Sequence, residues 1–192
     1  MSEELVSRRD LLRNVALSAT LGGLNAEAAQ HVHNLAVEEK QAAGGVYRPK
    51  CFQPGEFRAL QALAELIVPG AGKAGAAEFI DLLSSQNEEM AAIYTGGLAW
   101  LDREMERRHG SKFAAAKPAE QTALLDLIAF RRNDSPELGP GVRFFDWARR
   151  MTVDAYYTSP AGVRELGYKG NVGMTEFRVP QQAIDHALKR SV

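Results

Sequence analysis

Apolar residues recur at every third or fourth position along most of this chain, which is the spacing of one face of an α-helix. The clearest case is the stretch from Met90 to Met105, where the apolar positions form a single stripe. No stretch alternates apolar and polar residues over several positions, so the sequence predicts no substantial β-sheet. We therefore expect an all-α fold, a single small bundle-like domain of about five to seven helices.

Proline and glycine mark the ends of these helices. Pro54 stands where a first helix would begin, and Pro69-Gly70 stands where it would end. Gly110 can end the long third helix, and Pro118 can begin the fourth. Turn-forming residues dominate 158–180, which we expect to be irregular but ordered. The other predicted helices lie at 76–83, at 144–155 and at about 181–189.

The first 28 residues have a charged head, an uncharged middle and a small-residue end. A pair of arginines and a pair of leucines form the head, which consists of Arg8, Arg9, Leu11 and Leu12. No charge follows from Asn14 to Ala26, and Ala26 and Ala28 then form a small-x-small cleavage pattern. This order resembles a bacterial twin-arginine export signal with cleavage after Ala28. It implies that the chain meets the twin-arginine translocase, leaves the cytoplasm already folded and lies in the periplasm.

Two alternatives stay open for residues 1–28. They can form an amphipathic helix of a cytosolic protein, or an export signal that is retained rather than cleaved. They do not form a stable membrane span, because a span needs about 20 predominantly apolar residues and this stretch is short and rich in Ala, Gly and Ser. We interpret 29–51 as a linker with a short helix around 35–42, and 52–192 as the folded domain.

The charge balance argues against two kinds of partner. Without residues 1–28, the chain has 20 basic and 20 acidic side chains. A formally neutral body lacks the broad basic face of nucleic-acid-binding proteins. It also lacks the polybasic cluster that holds proteins on acidic lipids. No second apolar stretch is long enough to cross a bilayer, so we expect neither nucleic acid nor a stable membrane span.

No group of residues has the pattern of an active site. Cys51 is the single cysteine, which excludes an intramolecular disulfide, a haem-attachment motif and a cysteine-rich metal site. His31 and His33 fall in the predicted linker, where we expect them to be solvated. The glycine-rich loop 70–75 follows a helix and lacks the Gly-Lys-Ser/Thr ending of a phosphate-binding loop, so we interpret it as a flexible turn. We predict no catalytic residue, no cofactor-binding residue and no metal ligand in this chain.

Tyrosines gather in one turn-rich segment, 156–171. Tyrosine combines a large contact area with a polar tip, which suits both a corner of the domain and a partner surface. The candidate partner interface consists of Tyr156, Tyr157, Arg164 and Tyr168. The alternative, in which these rings seal the segment onto the helices, stays open.

Several segments together resemble one protein family. They are Arg8-Arg9, the helix that ends at Val68-Pro69, the run 74–81, Phe144-Phe145, and the segment from Tyr156-Tyr157 to Gly167-Tyr168-Lys169-Gly170-Asn171. On these residues the chain is similar to the gluconate 2-dehydrogenase subunit 3 family, from the signal to about Asn171. The most specific element is the Gly-Tyr-x-Gly-Asn sequence after the tyrosine pair.

The resemblance implies an accessory role. In such complexes a large flavoprotein of the glucose–methanol–choline type carries FAD and the chemistry, and a cytochrome subunit passes electrons on. The small subunit carries the twin-arginine signal and supports maturation or export of its partner. We therefore expect a non-catalytic subunit of a sugar or sugar-acid dehydrogenase, without its own cofactor. The alternatives are a free-standing exported binding protein or enzyme with an unrecognised site, and a structural protein of the cell envelope.

Overall fold

The computed structural model describes residues 8–20, 26–167 and 179–189, and the regular structure within them is helical. These residues form nine α-helices and two short 3₁₀ turns, Phe113–Ala115 and Arg131–Asn133, and no β-strand. The all-α prediction is confirmed, and seven of the helices lie within 52–192 as expected. The helices are α1 Arg8–Thr20, α2 Ala26–Ala42, α3 Pro54–Ile67, α4 Ala76–Ser84, α5 Glu88–His109, α6 Pro118–Ile128, α7 Gly139–Tyr157, α8 Pro160–Glu165 and α9 Gln181–Lys189.

Local signals explain where α3 begins. Pro54 occupies a first-turn position, where its missing N–H removes no helical hydrogen bond. The Glu56 carboxylate accepts a 2.8 Å hydrogen bond from Gln53 N, which satisfies a donor at the start of the helix. The apolar face of α3 then turns toward the core, and its buried residues are Phe57, Ala59, Leu60, Leu63 and Ala64.

Helix α4 forms the centre of the domain. All nine of its residues are buried, and α1, α2, α3, α5 and α7 pack around it. A helix that is surrounded on every side is expected to be apolar all round. Helix α4 nevertheless carries Glu78 and Asp81, and a buried carboxylate must find hydrogen-bond partners to offset the loss of water. These two acids are therefore the chemically unusual residues of the core.

Close packing fixes α7 against α5. A Cβ on Gly97 of α5 would lie 2.0 Å from Phe144 Cδ2, so the two helices approach this closely only because Gly97 has no side chain. The Tyr94 ring meets the Phe144 ring edge to face, with centroids 5.7 Å apart. These contacts hold one face of α7 in the core and leave the opposite face of the helix outward.

The segment 29–51 differs from the linker expected there. Residues 26–42 form the 17-residue helix α2, which is longer than the short helix predicted around 35–42. It packs against α4, and its buried residues are Ala29, Val32, His33, Leu35 and Ala36. The expectation was wrong because the buried face contains two alanines and a histidine, which makes the helical stripe weakly apolar. Irregular backbone follows and leads into α3.

The C-terminal part contains two helices. The segment 158–180, expected to be irregular, includes the short helix α8, and residues 168–178 lie outside the described residues. Helix α9 has the predicted bounds, and all its side chains are exposed. Within the ranges described, no helix combines the length and the hydropathy needed to cross a bilayer.

Candidate functional site

The residues of the predicted export signal lie in α1, which packs against the domain. Arg8, Arg9 and Leu11 belong to this helix, and their side chains lie outside the described residues. Helix α1 contacts α2 and α4. Its buried side chains are Leu12, Val15 and Ala16. Residues 8–20 of the predicted signal therefore form a packed helix that covers one side of α4.

The predicted cleavage site lies in the first turn of α2. Ala26 is the first residue of the helix and is exposed, and Ala28 is half-buried. Ala29 follows directly and is fully buried. Cleavage after Ala28 stays a prediction, and it would remove α1 together with the start of α2.

The tyrosine pair at the end of α7 has one buried and one half-buried member. Tyr156 is 7% exposed, and its hydroxyl donates a 2.5 Å hydrogen bond to Glu165 Oε2 of α8. Tyr157 is half-buried and meets the Tyr156 ring edge to face, with centroids 5.1 Å apart. Arg164 is exposed, and Tyr168 lies outside the described residues. Tyr156 thus holds α8 against α7, while Tyr157 and Arg164 reach solvent.

The glycine-rich loop 70–75 lies against this pair. A Cβ on Gly70 would lie 3.6 Å from the Tyr156 ring, so the loop backbone packs on that ring. The Glu65 carboxylate accepts 2.9 Å hydrogen bonds from Gly70 N and Gly72 N, and these bonds lower the pKa of Glu65. The loop expected to be flexible is therefore a turn held by Glu65. We call the region formed by this loop, Tyr156, Tyr157 and α8 the α7–α8 corner.

His33 connects α2 to the α7–α8 corner. Its Nε2 lies 3.1 Å from Thr158 Oγ1, and its ring packs on Phe79 with centroids 4.7 Å apart. Burial lowers the pKa of His33 to about 4, although a hydrogen bond with the Ala155 backbone opposes the shift. His33 is therefore neutral near pH 7. The expectation of a solvated His33 was wrong because α2 packs into the core.

A cavity of about 150 Å³ opens beside the corner, between α2, the loop 70–75 and Pro160. Glu78 lines it and is 8% exposed, and Glu78 Oε2 has no hydrogen-bond partner among the described residues. Burial raises the pKa of Glu78. Lys40 and Lys73 also line this cavity. In the part of the chain that the structure describes, no group of three or more His, Cys, Asp or Glu side chains is placed to hold a metal ion.

Asp81 is the structurally important residue that sequence reasoning missed. It is fully buried, and its carboxylate accepts four hydrogen bonds of 2.7 to 3.0 Å. The donors are the Tyr47 hydroxyl and the backbone N–H groups of Lys50, Cys51 and Phe52. These bonds tie the segment before α3 to the central helix. An acid inside the apolar run 76–84 is the sequence signal that could have revealed this role.

Cys51 agrees with the structural role expected for it. Its side chain is half-buried and packs against the core. Burial raises the pKa of the Cys51 thiol to about 11, and the Asp81 carboxylate adds to the shift. The reactive thiolate is therefore scarce near pH 7, which makes Cys51 a poor nucleophile.

Comparison with known protein families gives a match. The sequence model described as Gluconate 2-dehydrogenase subunit 3 matches residues 54–173, from the first residue of α3 to beyond the α7–α8 corner. Comparison with curated proteins and with solved structures gives no match. The matched range contains the tyrosine pair and Arg164, and it excludes α1 and α2. Because the match covers more than half of the chain, the protein belongs to the gluconate 2-dehydrogenase subunit 3 family.

Proposed function

We propose that this chain is the small, non-catalytic subunit of an exported FAD-dependent dehydrogenase of the glucose–methanol–choline type that oxidises a sugar or a sugar acid. The family match over residues 54–173 is the observation that carries this proposal. The large partner subunit would bind FAD and perform the oxidation, and a cytochrome subunit would pass the electrons on. This chain would hold no cofactor of its own.

The N-terminal segment supports an export role in the same proposal. Arg8 and Arg9 stand at the start of α1 in the order typical of a twin-arginine signal. Helix α1 packs on α4, so the signal segment and the folded body form one unit. A folded cargo suits the twin-arginine route. The chain would take a catalytic subunit that lacks its own signal to the periplasm and support its maturation.

An export experiment tests this role. The chain is expressed in a bacterial host together with the flavoprotein dehydrogenase of its source, and both proteins are measured in the periplasm. The Arg8→Lys/Arg9→Lys variant keeps the charge and removes the arginine pair, so both proteins should stay in the cytoplasm. Arg13→Lys, in the same helix, should export normally. Periplasmic flavoprotein in the absence of this chain would contradict the escort role, and normal export of the double variant would contradict the twin-arginine assignment.

The α7–α8 corner supplies a candidate contact with the partner. Tyr157 and Arg164 reach solvent there, whereas Tyr156 is buried. Alanine at Tyr157, Arg164 or Tyr168 should weaken co-purification of the flavoprotein and leave the melting temperature nearly unchanged. Tyr156→Ala is the comparison, because it removes the bond to Glu165 and should lower the melting temperature. Unaltered co-purification by folded Tyr157, Arg164 and Tyr168 variants would place the interface elsewhere.

A further inference from the structure

The outward face of α7 lines two neighbouring cavities. One has a volume of about 750 Å³ and is bordered by arginines, and the other has a volume of about 270 Å³ and is bordered mainly by apolar side chains. Arg149 and Val153 line both cavities, so the two lie side by side on this face. We call the two cavities together, centred on Arg149 and Val153, the α7 groove.

Arginine dominates the larger half of the groove. Four of its eight lining residues are Arg131, Arg143, Arg149 and Arg150. Asp146 accepts a 2.8 Å hydrogen bond from Arg131 Nε and lies 3.7 Å from Arg149 Nη2. Asp154 is the other acid of this half, so arginines outnumber acids by two to one. Because the whole chain has a net charge of −1, positive charge is concentrated at this place.

Aromatic rings lie beneath arginines on this surface. The guanidinium of Arg150 stands 4.2 Å from the centre of the half-buried Trp147 ring. Next to Arg131 in sequence, Phe130 is 49% exposed, and the guanidinium of Arg132 stands 4.5 Å from its ring centre. Arginine, tryptophan and phenylalanine are enriched at protein interfaces, and arginine and tryptophan frequently dominate their binding energy.

The smaller half of the groove is an apolar recess between three helices. Leu66 and Ile67 come from the end of α3, Leu125 from α6 and Phe145 from α7. Val153 lies at its rim and is 37% exposed. A recess of about 270 Å³ has room for a large side chain from another molecule.

We propose that the α7 groove docks an acidic segment of the catalytic partner subunit, with one apolar or aromatic side chain of that segment in the recess and its carboxylates on the arginines. The proposal rests on the proposed function, which supplies the partner. Charge complementarity selects an acidic occupant, and the planar guanidinium pairs with carboxylates through two parallel hydrogen bonds. A lipid surface fits poorly, because the apolar residues line a recess instead of protruding and Asp146 and Asp154 lie among the arginines.

The groove is continuous with the α7–α8 corner. Asp146, Arg150, Val153 and Tyr157 follow one another along α7 at spacings of three or four residues, which places them on one face of the helix. From Asp146 to Tyr157 this face is about 16 Å long, at about 1.5 Å per residue. One extended segment of the partner can therefore reach from the arginines to Tyr157.

Binding measurements test the groove directly. The flavoprotein dehydrogenase that co-purifies with the wild-type chain is isolated and titrated against variants of the full chain by calorimetry. Arg143→Glu/Arg149→Glu and Val153→Asp should each raise Kd by about tenfold or more, because they place negative charge where carboxylates and an apolar side chain bind. Raising the salt concentration should weaken wild-type binding and should affect the arginine double variant much less.

Matched variants distinguish an effect of the groove on binding from an effect of the net charge of the chain. Arg48→Glu/Arg58→Glu makes the same charge change at exposed positions that line neither cavity, so its Kd should stay within about twofold of the wild-type value. Arg143→Gln/Arg149→Gln avoids repulsion with Asp146 and should still raise Kd several-fold. Circular dichroism and the melting temperature establish that each variant is folded.

The outcomes distinguish the two proposals. Folded groove variants that bind the flavoprotein as tightly as the wild-type chain would overturn the docking surface and leave the proposed function standing. Equal weakening by the groove variants and by Arg48→Glu/Arg58→Glu would also overturn it, because the effect would then be one of net charge. A wild-type chain that binds no flavoprotein would overturn the proposed function itself, and with it the occupant of the groove.

Discussion

His33 Nε2 lies 3.1 Å from Thr158 Oγ1, and this contact joins helix α2 to the end of α7 across 125 positions of sequence. The family match begins at residue 54, so His33 lies before the matched range and Thr158 lies within it. Helix α2 is therefore attached to the matched domain at the end of α7 as well as along α4. A substitution in α2 should consequently alter the exposed surface around Tyr157.

The buried His33 should make stability depend on pH. Its pKa is about 4 in the folded protein and 6.5 in the unfolded chain, so the unfolded chain binds the proton more tightly. The folded protein therefore keeps its full stability above pH 6.5. It loses up to about 3 kcal/mol of its free energy of unfolding as the pH falls toward 4. Urea unfolding between pH 7 and pH 4 measures this slope. His33→Gln should flatten this slope.

Asp81→Asn should destabilise the domain strongly. The amide nitrogen of asparagine cannot accept a hydrogen bond, so at least one of the four donors that Asp81 satisfies would lose its partner. We expect a loss of about 3 kcal/mol in the free energy of unfolding. Asp102→Asn is the comparison, because Asp102 accepts only one backbone hydrogen bond, from Phe113 N. This substitution should lower the free energy of unfolding by about 1 kcal/mol. Equal losses in the two variants would contradict the special role of Asp81.

The sequence predicted the elements whose signals are local. The apolar stripe of α5, the start of α3 at Pro54 and the bounds of α9 all follow from nearby residues, and the structure confirms them. The length and burial of helix α2 were underestimated because its buried face includes two alanines and a histidine. The bonds of Asp81 were missed because their donors lie 29 to 34 positions away.

The candidate site was also predictable only in part from the sequence. Tyr157 and Arg164 could be named from composition, and both reach solvent in the structure. The α7 groove could not be predicted, because α3, α6 and α7 form it only after folding. In the sequence, its arginines look like the ordinary solvated face of a helix.

Gly162→Ala should destabilise the α7–α8 corner. A Cβ at this position would lie 2.2 Å from Tyr156 O, and because that atom is backbone, α8 must move to make room. We expect a loss of about 2 kcal/mol in the free energy of unfolding. Gly96→Ala offers a matched control, since Gly96 lies within α5 with open space around it and alanine should stabilise the helix by about 0.5–1 kcal/mol. Chemical denaturation of both variants measures the difference, and a harmless Gly162→Ala would contradict the packing of α8.

Helix α1 should contribute to the stability of the folded protein. Val15 is 3% exposed against the core, whereas Leu17 on the same helix is 48% exposed. Val15→Ala should therefore lower the free energy of unfolding by about 2 kcal/mol, and Leu17→Ala should change it by less than about 0.5 kcal/mol. A chain that begins at residue 29 should melt at a lower temperature than the full chain, because the side of α4 that α1 covers becomes exposed. Thermal melts and urea unfolding measure these differences. If Val15→Ala and Leu17→Ala prove equally mild and the shortened chain melts like the full one, α1 does not pack on α4 in solution, and cleavage after Ala28 would leave the domain unchanged.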